Sequence, residues 1–419
     1  MSSDHNERRR DSRFVAVLAV AASIVGLLND FVYDDIAIIR DNVRVHSLAH
    51  WRDILTLPFW PPPFVEQLYR PLTVLLLAIE YWLGQGSPLV FRLVSCALYA
   101  ACAIAVFRLA SRLLSRRTAF AAAAVFAVHP VHVEAVALGV GQGELIVGMA
   151  AVLMVIRYLD ARRVGWLTTR DWIALAALFV IAALAKENGF VLPALLVVTE
   201  YFRLDDAPLR ARIRKLWAGY VAVAIVSAAL LVLRSVMLSD GALHVVSARS
   251  LAGLGVGARL LTMLQVVPMW LRLFVWPVHL QVDYAPGELP AYSSFGLHEA
   301  AGLVLVIAAL CIISVARRRA PVLSFGLAWC AVSLLPVSNI VPTGILLAER
   351  TLFLPSVGFV VAVGALGQAV LRRWTNARLR QVVVAACVVM VLLGVARSSS
   401  RHSVWNSAHV VIVKRAVAR

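Results

Sequence analysis

The stretch FVAVLAVAASIVGLLNDFVYDD, residues 14–35, joins an apolar run to two adjacent carboxylates, Asp34 and Asp35. With its flanks, the run over residues 14–28 is long enough to enter a bilayer as a helix. Ionised groups near the hydrocarbon boundary are costly unless they are paired or hydrated, so they often mark functional sites. The acidic pair is therefore either a hydrated cap where a helix leaves the membrane or part of a polar site.

The composition of the chain indicates its fold class. Of its 419 residues, 61% are hydrophobic and 15% are charged, and the mean hydropathy is +0.83. This excludes an ordinary soluble domain, and repeated apolar stretches of about 15–22 residues predict an all-α polytopic membrane protein. The net charge of +17 comes largely from arginines between those stretches. The positive-inside rule accounts for it without a nucleic-acid partner.

The basic clusters predict the topology. With all of them cytoplasmic, the N-terminus lies inside and about 11 transmembrane helices put the C-terminus outside. The predicted spans are residues 14–28, 93–113, 118–136, 145–158, 171–185, 189–201, 216–238, 299–315, 322–337, 352–371 and 381–395. The apolar pieces 69–83 and 259–278 would place basic clusters on the wrong side, so we expect them to be external re-entrant or interfacial helices. Residues 1–396 then form one transmembrane domain, with the acidic pair in an external loop over about 30–92, and residues 397–419 form a short external tail.

The unusual polar groups of the chain all fall on the external side of this topology. Random placement would divide them between the two sides, so their convergence favours one shared polar cavity. Besides the acidic pair and three cations, the residues that we expect to line this cavity are Tyr69, His129, His132, Glu134, Glu144, Glu187 and Glu349.

The three cations suit a lipid-linked phosphate. Guanidinium groups bind phosphate through two parallel hydrogen bonds, and we assign Arg70, Lys186 and Arg350 to the phosphate of a polyprenyl-phosphate sugar. An acceptor hydroxyl that attacks the anomeric carbon needs a base, for which Asp34 and Asp35 are the candidates. Adjacent carboxylates titrate as a pair, so the residues alone do not choose between them.

Several of these motifs have a simpler alternative. His129, His132 and Glu134 have a spacing that could hold a divalent metal, although a helix end broken by Pro130 and satisfied by the two imidazoles is favoured. The pair of Lys186 and Glu187 could be self-neutralising. The two arginines of the predicted site could extend to lipid headgroups. A metal therefore stays an open alternative, and no other cofactor is predicted.

Seven segments together resemble a known family. They are FVYDD at 31–35, YRPLT at 69–73, FAVHPVHVEAV at 126–136, KENG at 186–189, WPVHLQVDY at 276–284, LPVSN at 335–339 and AERTLFLPSVGF at 348–359. In this order they resemble the membrane domain of the transmembrane and tetratricopeptide-repeat O-mannosyltransferases. That family belongs to the GT-C superfamily of integral-membrane glycosyltransferases, alongside the protein O-mannosyltransferases.

The resemblance implies a GT-C fold and a catalytic acid pair at Asp34 and Asp35, and we lean to Asp35 as the base. It also implies transfer of mannose or a similar hexose, with inversion, on the non-cytoplasmic side. Three positions depart from the family pattern. Gln142 stands where an arginine is usual, and Arg92 and Ser95 stand where a histidine and an asparagine are usual. These departures put inherited donor contacts in doubt.

The tail RHSVWN, residues 401–406, resembles the junction into the family's repeats, and the repeats themselves are absent from the sequence. The acceptor, whether protein, lipid or glycan, is therefore not inherited, and a separate partner could supply the acceptor-binding part. The alanine- and arginine-rich composition suggests a bacterial inner membrane.

Two other functions compete with this prediction. A transporter or flippase for a lipid-linked or anionic substrate would place polar groups near the bilayer midplane and often shows internal repeats. A catalytically silent descendant would bind the donor without turnover.

Overall fold

The computed structural model describes residues 2–64, 68–203, 208–238, 248, 251–282, 284, 295–373 and 377–406. These ranges contain α-helices joined by 3-10 turns and loops, and no strand, which confirms the predicted all-α class. The helices are α1 Ser2–Ser23, α2 Trp51–Thr56, α3 Pro71–Gly84, α4 Pro88–Leu113, α5 Arg116–Ala127, α6 Val133–Ala137, α7 Gln142–Val164, α8 Thr169–Ala185, α9 Leu192–Phe202, α10 Leu209–Met237, α11 Val256–Val275, α12 Leu297–Val315, α13 Pro321–Leu334, α14 Phe353–Arg373 and α15 Ala377–His402.

The helix lengths support a multi-pass membrane protein, as predicted. In the described ranges, eight helices are long and apolar enough to cross a membrane, and α5 with α6, bent by 47°, adds a ninth. The count differs from eleven because α8, α9 and α13 have only 17, 11 and 14 residues, whereas a span needs about 20. In the other direction, α11 was expected to be interfacial and is long enough to cross. The 14-residue α3 is too short to cross by itself.

Two helix ends differ from the predicted bounds. Helix α4 begins at Pro88, where proline suits the first helical turn, so Arg92 lies inside the helix and not in the external loop. Helix α15 continues past residue 396 to His402, and a 3-10 turn follows at Ser403–Trp405. The rest of the predicted tail, residues 407–419, and Asp283 lie outside the described residues.

Small residues let the helices approach closely. Ala103 and Ala110 of α4, Ala123 of α5 and Ala151 of α7 are completely buried in one core. Between α13 and α14, a Cβ added at Gly326 would lie 2.6 Å from the carbonyl oxygen of Gly358, and one at Gly358 would lie 2.5 Å from that of Gly326. In lipid, packing of this kind holds helices together because burial of apolar surface gives little driving force.

The packing brings six chain segments to the same end of the bundle. The hydroxyl of Thr73, at the start of α3, donates to the carbonyl of Ala185, at the end of α8, at 2.8 Å. His132, at the bend between α5 and α6, lies 2.8 Å from the hydroxyl of Ser356 in α14. We call this end of the molecule, with Asp34 and the loops around it, the site end.

Candidate functional site

Ion pairs join the predicted polar motifs at the site end. Each pair connects two motifs that are far apart in the sequence, so the convergence expected from the topology is present in the structure. The pairs are Arg350 with Asp34 at 2.9 Å, Arg70 with Glu187 at 2.8 Å, and Lys186 with Glu144 at 2.7 Å.

Asp34 lies in a partly exposed network around Arg350. Its Oδ2 accepts from Nη1 of Arg350 at 2.9 Å, and its side chain is 16% exposed. The backbone N–H of Arg350 donates to Oε2 of the buried Glu134 at 2.9 Å. The side-chain Nε of Arg350 lies 3.5 Å from Oε1 of the same glutamate. Tyr33, just before the acidic pair, has φ of +54°, a conformation that is uncommon for a residue with a side chain.

Asp35 is completely buried and its oxygens are saturated with donors. Oδ2 accepts from Nη2 of Arg92 at 3.0 Å and from the N–H of Gly139 at 2.9 Å, and Oδ1 accepts from the N–H of Val140 at 3.0 Å. Burial raises the pKa of Asp35, and Arg92 with the two backbone N–H groups partly opposes that shift. These contacts join the acidic loop to α4 and to the turn before α7.

The three predicted phosphate-binding cations lie close together. Burial lowers the pKa of Lys186; Glu144 raises it, and the positive charges of Arg70 and Arg350 lower it again. Lys186 directly precedes Glu187, the carboxylate that Arg70 binds, so these two cations are neighbours at the site end. Asn188 completes this part of the site by donating to Oε2 of Glu144 at 3.2 Å.

Glu187 holds two arginines rather than one. It accepts from Nε of Arg70 at 2.9 Å, and Nη1 of Arg234 in α10 lies 3.2 Å from its other oxygen. Burial raises the pKa of Glu187, but the two guanidinium groups outweigh it and bring the pKa to about 2. Sequence reasoning missed Arg234, although an arginine near the end of an apolar span is itself a signal.

The two histidines lie beneath the site and serve the helix break. Nε2 of His129 is 3.0 Å from the carbonyl of Phe274, and its Nδ1 accepts from the N–H of Val131. His132 contacts the Tyr99 hydroxyl at 3.0 Å and the Ser356 hydroxyl at 2.8 Å. Both rings therefore use their nitrogens inside the protein, and their role as site-lining residues stays a prediction. The described ranges contain no group of three or more His, Cys, Asp or Glu that could hold a metal.

Tyr69 and Glu349, also predicted to line the cavity, are anchors. The hydroxyl of Tyr69 donates to the carbonyl of Leu55 at 2.8 Å and ties the segment before α3 to α2. Glu349 is completely buried and accepts from the Tyr284 hydroxyl at 2.8 Å, and Arg401 lies 3.3 Å away. These contacts hold the turn before α14 against α15.

The departures from the family pattern occupy one buried cluster. The side-chain amide of Gln142 donates to Glu80 at 3.0 Å, to the Ser95 hydroxyl at 3.2 Å and to the carbonyl of Phe91 at 3.2 Å. Arg92 lies on the same helix as Ser95 and pairs with Asp35. The residues that depart from the family pattern therefore contact one another or the acidic loop.

The arrangement combines two chemical capacities. Arg70, Lys186 and Arg350 can bind an anion such as phosphate because their side chains are cationic. Each of the three side chains is mostly buried and keeps a small exposed part. Beside them, Asp34 is an accessible carboxylate held by a single arginine among the described residues. A carboxylate in this position can accept a proton from a bound hydroxyl.

Comparison with known proteins agrees with these features. The family model described as dolichyl-phosphate-mannose-protein mannosyltransferase matches residues 70–233. Protein O-mannosyl-transferase TMTC3 of Mus musculus is 26% identical over 414 residues, covering 91% of this chain and 44% of that protein. TMTC4 of the same organism is 27% identical over 450 residues, covering 94% and 59%. Tmtc2 of Drosophila melanogaster is 35% identical over 196 residues, covering 44% and 20%.

The chain spans about half the length of the first two of these relatives. The resemblance inferred from the motifs is confirmed: the chain is similar to protein O-mannosyl-transferases over most of its length, and its described residues form an all-helical protein with several apolar helices.

Proposed function

We propose that the protein is an integral-membrane glycosyltransferase that moves mannose or a similar hexose from a polyprenyl-phosphate donor to an acceptor hydroxyl. The observation that carries this proposal is the partly exposed Asp34, held by Arg350 beside two further cations. The names of the relatives, protein O-mannosyl-transferases, support the transfer of mannose to a protein. The description of the matching family, which includes dolichyl phosphate mannose, supports a lipid-phosphate donor.

The reaction takes place on the non-cytoplasmic face of a bacterial inner membrane, with the N-terminus cytoplasmic and the C-terminus external. The basic clusters lie at the opposite end of the helices from the site, which supports this orientation through the positive-inside rule. The donor reaches the site from the lipid, where its polyprenyl chain stays.

The donor phosphate binds Arg70, Lys186 and Arg350. As the bond between the anomeric carbon and the phosphate oxygen breaks, negative charge grows on that oxygen, and fixed cations stabilise it. Each cation already has a carboxylate partner. A phosphate that binds Arg350 therefore competes with Asp34 and frees its carboxylate for the acceptor.

Asp34 is the general base. The acceptor oxygen attacks the anomeric carbon from the face opposite the phosphate, its proton passes to Asp34, and the electron pair of the broken bond leaves with the phosphate. Inversion follows from this single displacement. Asp35, to which the sequence leaned, is engaged by Arg92 and two backbone N–H groups and positions the loop instead.

The acceptor is a hydroxyl of a protein, lipid or glycan. A divalent metal is the alternative to a reaction with the donor alone. Turnover that disappears in EDTA and returns with magnesium or manganese would support the metal.

The test is sugar transfer by the purified full chain in proteoliposomes, with polyprenyl-phosphate mannose and a panel of peptide, lipid and glycan acceptors. Arg350→Gln should lower transfer by at least about 100-fold, the scale for loss of one group that stabilises developing charge. Arg372→Gln is the matched control, because Arg372 is exposed at the other end of the same helix. It should retain wild-type transfer. Donor movement across the bilayer without a glycoside product would favour the flippase and contradict the proposal.

A further inference from the structure

A cavity of about 530 Å³ lies at the end of the bundle opposite the site end. Its walls include Arg9 of α1, Arg108 and Arg112 of α4, and Arg163 of α7. Arg92, at the other end of α4, contacts Asp35. The helix between Arg92 and Arg112 is about 30 Å long, which matches the thickness of the hydrocarbon core. The cavity therefore lies at the other face of the membrane.

The cavity carries uncompensated positive charge. Five of its eight lining residues are arginines. Arg112 donates two hydrogen bonds to Asp160, at 2.7 and 2.6 Å, and Arg163 lies 3.9 Å from the same carboxylate. In the part of the chain that the structure describes, neither Arg9 nor Arg108 has a carboxylate partner. One acidic group thus serves at least two of these arginines and leaves two others open to an anion.

A buried hydroxyl points to a missing partner in the same cavity. The Oγ of Ser111 lines it, is inaccessible to solvent and has no hydrogen-bond partner among the described residues. A buried donor without a partner is unfavourable, so an oxygen of a bound ligand would be favourable there. Phe107, which is buried, adds an apolar wall one helical turn away.

We propose that this cavity binds the phosphate of an anionic phospholipid headgroup from the leaflet opposite the site end. Arg9 and Arg108 pair with the phosphate oxygens, Ser111 donates a further hydrogen bond, and Phe107 contacts the glycerol part. Basic pockets between transmembrane helices at the cytoplasmic side suit such headgroups. Free phosphate shares the chemistry, but a site at the membrane boundary with an apolar wall favours the lipid.

The experiment measures lipid binding by the purified full chain in detergent, by native mass spectrometry with the shift in unfolding temperature as a second readout. The probes are phosphatidylglycerol, phosphatidylcholine and inorganic phosphate, each titrated separately. The wild-type protein should bind phosphatidylglycerol at least about tenfold more tightly than phosphatidylcholine. The double variant Arg9→Gln/Arg108→Gln should lose that preference, and Ser111→Ala should weaken it.

The matched control is Arg117→Gln/Arg170→Gln. Arg117 and Arg170 are exposed at the same end of the bundle and do not line the cavity. Their substitution removes the same charge as the substitution of Arg9 and Arg108. This variant should keep the preference, whereas equal losses in both double variants would reduce the effect to general surface charge and overturn the proposal. The absence of a preference for phosphatidylglycerol, or a thermal shift with inorganic phosphate as large as that with the lipid, would overturn the assignment to a phospholipid. Unfolding temperatures in phosphatidylcholine confirm that each variant is folded.

Discussion

Asp34 and Asp35 are neighbours in the sequence and differ in almost every physical respect. Asp35 is completely buried, and its carboxylate accepts three hydrogen bonds from Arg92, Gly139 and Val140. Asp34 is partly exposed and is held by one arginine, Arg350, among the described residues. A saturated buried carboxylate holds a loop in place, whereas an accessible one can exchange its partner.

The same contrast extends to the groups around each acid. Arg92 is buried together with its partner, so that pair is a fixed element of the fold. Arg350, Arg70 and Lys186 keep some exposure or lie beside an accessible group, and each could exchange a carboxylate for a phosphate. Substitutions around Asp35 should therefore lower the stability of the protein, whereas substitutions around Asp34 should lower the rate of sugar transfer.

The largest expected effect on stability is that of Asp35→Asn. Loss of one partner from a buried ion pair leaves the other charge unpaired and costs about 3–5 kcal/mol. Chemical unfolding in detergent measures this loss. Asp35→Asn/Arg92→Gln should be less destabilised than the sum of the two single variants, because it removes both charges. A stability of Asp35→Asn equal to that of the wild type would break the contrast between the two acids.

Glu187 gives a smaller effect that depends on pH. Its pKa in the folded protein is about 2, below the ordinary value of 4.5. Glu187 therefore contributes stability that is fully present above pH 4.5 and is lost as the pH falls toward 2. Because its side chain is 27% exposed, solvent screening limits the contribution to about 1–2 kcal/mol. Unfolding temperatures between pH 7 and 3 should fall less for Glu187→Gln than for the wild type, and parallel curves would contradict the assignment.

Lys186→Met gives the smallest effect, on donor binding. Removal of one of three clustered cations should raise the donor KM about tenfold, or about 1.4 kcal/mol, with a smaller change in kcat. Steady-state transfer at varied donor concentration measures this. Lys215→Met is the control, since Lys215 lies at the other end of the bundle, over the ring of Trp166. An unchanged KM for Lys186→Met would remove Lys186 from the phosphate site.

The sequence supports the membrane class and the grouping of the polar motifs for a clear physical reason. Charged groups are rare in an apolar chain, so their positions relative to the spans carry information. Which helices span the membrane was harder to predict from the sequence, because a helix of 17 residues such as α8 and one of 20 such as α11 differ little in composition. Length in the folded chain, rather than hydropathy, separates them.

The roles of individual side chains could be predicted from the sequence only in part. The pairing of Arg70 with Glu187 joins residues 117 positions apart, and no local pattern specifies such a contact. The difference between Asp34 and Asp35 rests on partners that are distant in the sequence, Arg350 for the first and Arg92, Gly139 and Val140 for the second. His129 and His132 illustrate the reverse case, in which a suggestive spacing serves a helix break.

The most direct test of the account is the rate of sugar transfer by Asp34→Asn, measured in proteoliposomes beside the wild type at matched amounts of folded protein. We predict a loss of about 100- to 10,000-fold, the contribution of a general base, with an unfolding temperature close to that of the wild type. Transfer at the wild-type rate by folded Asp34→Asn would contradict the claim that Asp34 takes the acceptor's proton.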